Sequence, residues 1–217
     1  MESAKKDRNE ITRAATNARR KLSVTSLIFF TVSFLGWGLE MLSCSSWFTD
    51  FSDRGFLTLP FCVIYGAPVC MIFLLLGTPK EGILVSAIRK AKLYGGVKVI
   101  LRYVLYFLVS ALLATLFELI FGALFSSLGV TLWTYRSYSF NYKGYICLWF
   151  SLIWGALITF FMALIWPPLY RLFSRIPQRA AEIANVVLWI AVIADFSFNF
   201  TYLLLYKQQF SLILGVG

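Results

Sequence analysis

Five long apolar runs, separated by short connections, dominate the pattern of hydrophobic and polar positions along the chain. Each run has the roughly 20 residues that an α-helix needs to cross the hydrocarbon core of a bilayer. The third run is the longest, and Asp195 and Asn199 interrupt the fifth. The pattern predicts transmembrane helices at about residues 22–44, 56–77, 100–124, 145–166 and 183–206.

This pattern predicts an all-α fold, a polytopic membrane helix bundle in which residues 22–217 form a single transmembrane domain. Residues 1–21 are polar and basic, and we expect a cytoplasmic arm there, either a short helix or disordered. The first apolar run is longer than the h-region of a cleaved signal peptide, and no A-x-A site follows it. We therefore expect the first helix to be retained.

Composition supports a membrane protein and excludes a soluble globular one. Of the 217 residues, 59% are hydrophobic and 14% are charged, and the mean hydropathy is +0.76, whereas soluble domains are about 45–50% apolar and about 25% charged. The chain has no histidine. The C-x-x-C spacing is typical of zinc and redox sites, and its four cysteines do not have it. We expect no cofactor and no bound metal.

The distribution of lysine and arginine predicts the orientation. Fifteen of the 20 lie in the N-terminal arm and in the connections after the second and fourth runs, Arg102 lies just beyond the first of these connections, and four lie on the other side. The positive-inside rule then places the N-terminus in the cytoplasm and the C-terminus outside. The net charge of +10 reflects this bias and attraction to anionic lipid headgroups. We therefore expect a multi-pass protein of the cell membrane that contacts lipid and binds no nucleic acid.

The two basic connections are predicted to be cytoplasmic. Residues 79–99 place apolar side chains at helical spacing among Arg89, Lys90 and Lys92, a pattern that favours an amphipathic helix on the inner membrane surface. The alternative is a docking helix for a cytoplasmic partner. Residues 167–181, with three arginines and three prolines, form a similar crossover.

The connections on the opposite side are aromatic. Trp47 lies in the first of them, and Trp133, Tyr135 and Phe140 lie in a dense cluster between the third and fourth runs. Interfacial aromatic belts explain many such residues, but this density predicts a folded cap on the outer mouth of the bundle.

The first two runs resemble the third and fourth in layout. Glu40 and Glu118 lie in the outer third of the first and third runs, and an aromatic connection follows each. Each connection ends in a cation, a glycine and an aromatic residue, and another glycine follows 11 residues later, at an offset of 89 residues between the two halves. Two explanations stay open: a 2+2 parallel repeat, as in some transporters, or chance similarity between apolar helices.

The chemistry of the chain should lie with its intramembrane polar groups, because a charged side chain near the bilayer centre costs about 2.5–3.5 kcal/mol and usually has a partner. Asp195 and Asn199 share one face of the last helix at i and i+4. The candidate polar site near the outer face comprises Glu40, Arg54, Glu118, Asn141, Lys143, Asp195 and Asn199. Three interpretations stay open: a buried ion-pair lattice that fixes helix register, a site for a polar headgroup or small solute, and proton-coupled gating.

Motifs of ATP-binding and hydrolytic enzymes do not occur in the sequence. It has no G-x-x-x-x-G-K-[ST], no H-E-x-x-H and no G-x-S-x-G. ATP-driven work would need a separate subunit, and we expect no enzyme; a small membrane enzyme acting on lipid headgroups is a minor alternative.

Three segments resemble the proposed ABC-transporter permease family called CmpB, or type IV, which is grouped with the transmembrane protein 229 proteins. They are SFLGWGLEML at 33–42, DRGFLTLPFCVIYG at 53–66 and WTYRSYSFNYKGYICLWFSLIWG at 133–155. The motif positions of the family fall on Gly36, Trp37, Glu40, Arg54, Gly55, Phe56, Pro60, Cys62, Tyr65, Gly66, Trp133, Tyr135, Phe140, Asn141, Gly144 and Cys147. The chain departs from the family pattern at Leu59, Val63, Thr134, Arg136 and Ser139. Thr134 replaces an acid, which weakens the expectation of a shared cation or proton role for that connection.

The resemblance implies a transport role. The leading hypothesis is a permease-like membrane component with a polar site near its outer face, which recruits a separate ATPase through its basic cytoplasmic connections. Five helices are few for a complete translocation pathway, so we expect a homo- or hetero-oligomer. The alternative is a lipid-interacting structural or accessory protein without transport activity.

Overall fold

The computed structural model describes residues 2–44, 56–89, 94–208 and 210; of 2–9, 43 and 44 it describes only the backbone. Within these residues the chain is mainly helical, as the sequence predicts. The helices are α1 Glu2–Cys44, α2 Val63–Leu76, α3 Ile83–Arg89, α4 Gly95–Ser127, α5 Leu148–Phe160, α6 Trp166–Phe173 and α7 Gln178–Tyr206. Strands β1 Asn141–Tyr142 and β2 Ile146–Cys147 pair in antiparallel register between α4 and α5.

Four helical segments are long and apolar enough to cross a membrane: Glu10–Leu42, Gly95–Ser127, Leu148–Phe173 and Gln178–Tyr206. The predicted second span is shorter than expected, because its helix, α2, has only 14 residues. Pro60 explains the late start of α2, since proline donates no backbone hydrogen bond and disfavours helical geometry at Leu59. The count of five spanning helices stays a prediction.

Helix α1 extends through the basic arm as one continuous helix, although the sequence also allowed a disordered arm there. The guanidinium of Arg20 anchors this extension. It donates to Gln178 Oε1 at 2.9 Å and to the carbonyl oxygens of Ser174 and Ile176 at 2.5 and 2.6 Å. The arm is thereby fixed to the connection between α6 and α7.

Helix α4 carries a regular row of exposed apolar residues. Its exposed apolar residues recur every four positions from Ile100 to Leu124, which places them on one face of a helix. Buried Tyr106, on another face, donates to the carbonyl oxygen of Gly77 at 2.8 Å. Helix α4 therefore packs against the end of α2 and presents its apolar stripe outward.

The fourth span is continuous but irregular. A π-helical turn at Phe161–Ile165 joins α5 to α6, so that the helical segment runs to Phe173 rather than to Trp166. Pro167 and Pro168 follow the turn, and neither can donate to a carbonyl in the preceding turn. The π turn accommodates this loss of regular hydrogen bonds.

Helix α7 packs along α1 through polar contacts. Buried Asn185 donates to the carbonyl and hydroxyl oxygens of Ser23, each at 3.0 Å, and Trp189 donates to Ser26 Oγ at 2.8 Å. Because hydrocarbon offers no competing partners, such interhelical hydrogen bonds help to hold membrane helices together. The last span is therefore fixed to the first over its N-terminal half.

Candidate functional site

Glu40 and its partners form the first half of the candidate site. The side chain of Glu40 is half-buried on α1 and its Oε1 accepts a hydrogen bond from the Tyr65 hydroxyl of α2 at 2.9 Å. The Cys62 thiol approaches the same oxygen at 3.6 Å. Gly36 lies one turn before Glu40, and a methyl group added there would lie 2.5 Å from the Tyr65 ring. Gly36 thus provides the space in which Tyr65 reaches the carboxylate.

Glu118 and its partners form the second half. Glu118 lies on α4 with 8% of its surface exposed, and its Oε1 accepts hydrogen bonds from the Tyr135 hydroxyl and the Trp154 indole, each at 2.9 Å. Its other oxygen, Oε2, is buried and has no hydrogen-bond partner among the described residues. Two donors therefore converge on one oxygen of the carboxyl group and fix its orientation.

An aromatic contact joins the two halves. The rings of Tyr65 and Trp154 pack edge to face with their centroids 5.8 Å apart, and each ring donates to one of the two glutamates. We call Glu40, Cys62, Tyr65, Glu118, Tyr135 and Trp154 the paired-glutamate site. It brings together five parts of the chain: α1, the start of α2, α4, the connection before α5, and α5.

Close helix packing positions the two donors. Gly66 follows Tyr65, and a methyl group added there would lie 2.6 Å from the carbonyl oxygen of Phe29 on α1. Gly155 follows Trp154, and a methyl group there would lie 2.6 Å from Ala111 Cβ on α4. Each glycine therefore lets its helix approach the neighbouring helix and brings the preceding aromatic side chain to its glutamate.

The aromatic connection before α5 is folded and reaches into the site. Trp133 donates to the carbonyl oxygen of Tyr145 at 3.0 Å, and Asn141 Oδ1 accepts from the Gly144 amide at 3.1 Å. Gly144 has φ +80° and Phe140 has φ +58°, as the tight turns around the hairpin require. These turns place Tyr135 so that its hydroxyl reaches Glu118.

Burial, and then the negative charge of Glu118, raise the pKa of Tyr135 above its ordinary value. The phenol therefore stays protonated and remains a hydrogen-bond donor through the physiological pH range.

Asp195 and Asn199 contact the segment that precedes α2. Asp195 Oδ2 accepts from the Leu59 amide at 3.0 Å, and buried Asn199 donates to Thr58 Oγ1 at 2.9 Å and to Asp195 Oδ1 at 3.1 Å. These contacts fix α7 to the irregular segment that precedes α2. No described hydrogen bond links them to either glutamate of the paired-glutamate site.

The remaining predicted site residues divide into two groups. Lys143 is exposed, with Nζ 5.6 Å from the centroid of the Tyr142 ring, and no described ion pair joins it to Glu40 or Glu118. Trp47, Arg54 and Gly55 lie outside the described residues. The ion-pair lattice predicted from Arg54 and Lys143 is therefore not seen for Lys143 and stays a prediction for Arg54.

The other motif positions have structural contacts. Trp37 stacks with Phe34, Phe56 packs edge to face against Phe125, and Cys147 approaches the carbonyl oxygen of Ser139 at 3.4 Å. Among the described residues, no group of three or more His, Cys, Asp or Glu side chains lies close enough to hold a metal ion.

Sequence reasoning found both glutamates but missed the donors that hold them. Tyr65 is predicted only as a family motif position and Trp154 is not singled out, and the sequence predicts carboxylate binding for neither. A signal for them exists in the sequence, because Tyr65 and Trp154 are 89 residues apart, the same offset as the matched glycines. Both side chains can donate a hydrogen bond. Tyr135 was expected in the cap but not at Glu118.

Comparison with known proteins identifies the family. The model of the family described as Putative ABC-transporter type IV, ABC_trans_CmpB, matches residues 27–200 of the chain. The chain belongs to this family. The match confirms the resemblance drawn from the three segments and extends it into α7, while the grouping with transmembrane protein 229 proteins stays a prediction. No curated protein and no solved structure matches the chain.

Membership of this family and four membrane-compatible helices together make the chain a multi-pass membrane protein of an ABC-transporter family.

Proposed function

We propose that this chain is the permease-like component of an ABC transport system in the cell membrane and that the paired-glutamate site contacts the transported solute. The Tyr65–Trp154 contact carries the proposal, because it connects the carboxylates of two helical hairpins. The first helical hairpin is α1 with α2, and the second is α4 with α5. A site shared between hairpins changes its geometry when one hairpin moves relative to the other. Transport by alternating access requires such a coupling.

The chemistry of the site favours a ligand that carries hydrogen-bond donors or positive charge. Glu118 Oε2 is buried without a described partner, and a buried carboxyl oxygen gains from an N–H or O–H donor. Two carboxyl groups, Glu40 and Glu118, lie in this site, and their negative charge favours a cation. An amine or another small polar cation would satisfy both features.

A duplicated architecture supports the transport proposal. Glu118 follows Glu40 by 78 residues. The segment 29–33 of α1 packs against Gly66, and the segment 107–111 of α4 packs against Gly155. These two segments are also 78 residues apart. The donors Tyr65 and Trp154 are offset by 89. We infer that α1–α2 and α4–α5 are parallel repeats with the N-terminus inside, and that α2 with the preceding segment completes a fifth crossing.

The chain lacks a nucleotide-binding motif, so the proposal requires a separate ATPase subunit. We propose that residues 79–99 and 167–181 form its docking surface and that the complex contains two or more membrane chains. Arg20 links α1 to the second of these connections, which provides a rigid path from that surface into the first hairpin.

The second candidate is a structural or accessory protein that contacts lipid. One observation favours it: Glu40 and Glu118 each accept hydrogen bonds from a neighbouring segment, which alone would fix helix register. The two candidates differ in what happens when the carboxylate charge is removed and the hydrogen bonds are kept.

Native mass spectrometry of the tagged protein, extracted with its surrounding lipid, tests the proposal. The expected result is a stoichiometric nucleotide-binding subunit in the complex with the wild-type protein and with Glu118→Gln. A lone chain or a homo-oligomer would overturn the ATP-driven proposal and favour the structural candidate.

A further inference from the structure

A basic cavity lies between the short helix α3 and the beginning of α4. Its volume is about 160 Å³, and it is lined by Val85, Ile88, Arg89, Lys98, Val99 and Arg102. One water molecule needs about 10–15 Å³ of such space, so the cavity accommodates a group considerably larger than water. It shares no residue with the paired-glutamate site.

The cavity contains positive charge without described ion-pair partners. The ion pair found among the described residues joins Arg19 to Glu182, far along the chain from Arg89, Lys98 and Arg102. Lys98 Nζ has only a long contact, 3.4 Å, to the carbonyl oxygen of Arg89. Three cations that face one space favour an anionic ligand.

Arg102 provides the most specific feature. Its Nε is buried and has no hydrogen-bond partner in the described part of the chain, while its guanidinium carbon lies 5.5 Å from the centroid of the Tyr103 ring. A buried guanidinium N–H without a partner is costly. A phosphate oxygen would satisfy it, because the planar guanidinium fork matches phosphate geometry.

The position of the cavity points to a lipid as the source of that phosphate. Helix α4 has 33 residues and is therefore about 50 Å long, which exceeds the roughly 30 Å hydrocarbon core. Lys98 and Arg102 are in its first two turns, at the level of the headgroups on the side that the positive-inside rule assigns to the cytoplasm. Val85, Ile88 and Val99 add apolar lining that suits the glycerol and proximal acyl carbons of a lipid.

We infer that this cavity binds a phosphate oxyanion, delivered as the headgroup of an anionic phospholipid from the inner leaflet. Basic pockets at helix ends recognise such headgroups by charge and by hydrogen bonds to phosphate. Arg102 binds the phosphate, and Lys98 and Arg89 contribute charge at the mouth. The inference does not rest on the proposed transport function.

Lipid binding by the purified full chain tests this inference. Native mass spectrometry would measure the affinity for phosphatidylglycerol and for phosphatidylcholine in wild type, Arg102→Gln and Lys98→Gln. Arg175→Gln is the matched control, because it removes the same charge from an exposed position on the same predicted side. Thermal unfolding confirms that each variant is folded, and Lys98→Gln carries the test if Arg102→Gln does not fold.

We expect wild type to prefer phosphatidylglycerol and Arg102→Gln to weaken that binding about tenfold or more, the effect of losing one charge-assisted hydrogen bond. Arg175→Gln should stay within about twofold of wild type. Equal losses in Arg102→Gln, Lys98→Gln and Arg175→Gln would overturn the inference and indicate surface charge alone. Complete displacement of the lipid by millimolar inorganic phosphate would overturn the lipid source and identify a soluble anion as the ligand.

Discussion

The rings of Tyr65 and Trp154 pack edge to face with their centroids 5.8 Å apart, and each residue donates a hydrogen bond to a different glutamate. Tyr65 binds Glu40 within the first hairpin, and Trp154 binds Glu118 within the second. A displacement of either ring therefore affects both carboxylates. This relationship makes the paired-glutamate site one unit rather than two separate polar contacts.

Two substitutions at Glu118 distinguish the contribution of its charge from that of its hydrogen bonds. Glu118→Gln retains an acceptor for Tyr135 and Trp154, whereas Glu118→Leu leaves both donors buried and unpaired. Each unpaired buried donor costs about 1–3 kcal/mol. We therefore expect thermal unfolding in detergent to show a near-wild-type Gln variant and a strongly destabilised Leu variant. Equal destabilisation of the two would show that the charge itself stabilises the fold.

Gly36 and Gly38 form a matched pair on α1. A methyl group at Gly36 meets the Tyr65 ring, whereas a methyl group at Gly38 has nothing within 4 Å. We expect Gly36→Ala to lower the free energy of unfolding by about 1–3 kcal/mol through overpacking. Gly38→Ala should be neutral or gain up to about 1 kcal/mol from helix propensity. Unfolding midpoints measure both effects. Similar losses of stability in the two variants would contradict the conclusion that Gly36 provides the space for the Tyr65 ring.

Arg20 and Arg19 are adjacent but should differ in importance. Arg20 donates three hydrogen bonds to the connection after α6, whereas the Arg19 side chain in its ion pair with Glu182 is 74% exposed. We expect Arg20→Ala to cost about 1.5–3 kcal/mol and Arg19→Ala at most about 1 kcal/mol. Chemical unfolding of both variants checks this order, and a larger effect at Arg19 would contradict it.

Asn199 should hold the segment before α2 against α7. Asn199→Ala removes the side-chain bond to Thr58 and both side-chain bonds to Asp195, so hydrogen–deuterium exchange of peptides covering 56–62 should become faster. Ser197→Ala is the control, because Ser197 bonds within its own helix and is exposed. Unchanged exchange in Asn199→Ala would mean that other contacts hold this segment.

The predicted orientation is testable with single cysteines. Arg136→Cys lies in the connection assigned to the outside, and Arg175→Cys lies in the one assigned to the cytoplasm. Both variants carry Cys44→Ser, and the native Cys62, Cys70 and Cys147 are buried, which limits background labelling. A membrane-impermeant maleimide added to intact cells should label position 136 and not 175. The reverse pattern would show that the N-terminus is outside.

The sequence predicts the membrane-helix pattern well, because the thickness of the bilayer sets the length and hydropathy of a spanning helix. Both can be read from a single apolar run. Local exceptions were harder to predict. Helix α2 starts late at Val63, where Pro60 and side-chain contacts from α7 compete with helix formation, and the π turn at Phe161–Ile165 depends on how the two following prolines are accommodated.

The site was only partly predictable for a related reason. Glu40 and Glu118 attract attention because acids are rare in apolar runs. Their donors Tyr65, Tyr135 and Trp154 look like interfacial or core aromatics, and only tertiary packing shows that each reaches a carboxylate. The same packing directs Asp195 to Leu59, which periodicity along α7 alone does not reveal.

The most direct test of the central claim is the rate of ATP hydrolysis by the purified assembly in lipid nanodiscs. It compares wild type with Glu118→Gln and with Glu10→Gln, the same chemical change at an exposed glutamate outside the proposed docking surface. We expect wild-type turnover for Glu10→Gln and loss of solute-dependent turnover for Glu118→Gln, with both variants folded and bound to the ATPase subunit. Unchanged turnover in a folded Glu118→Gln assembly would contradict a functional role for the paired-glutamate site.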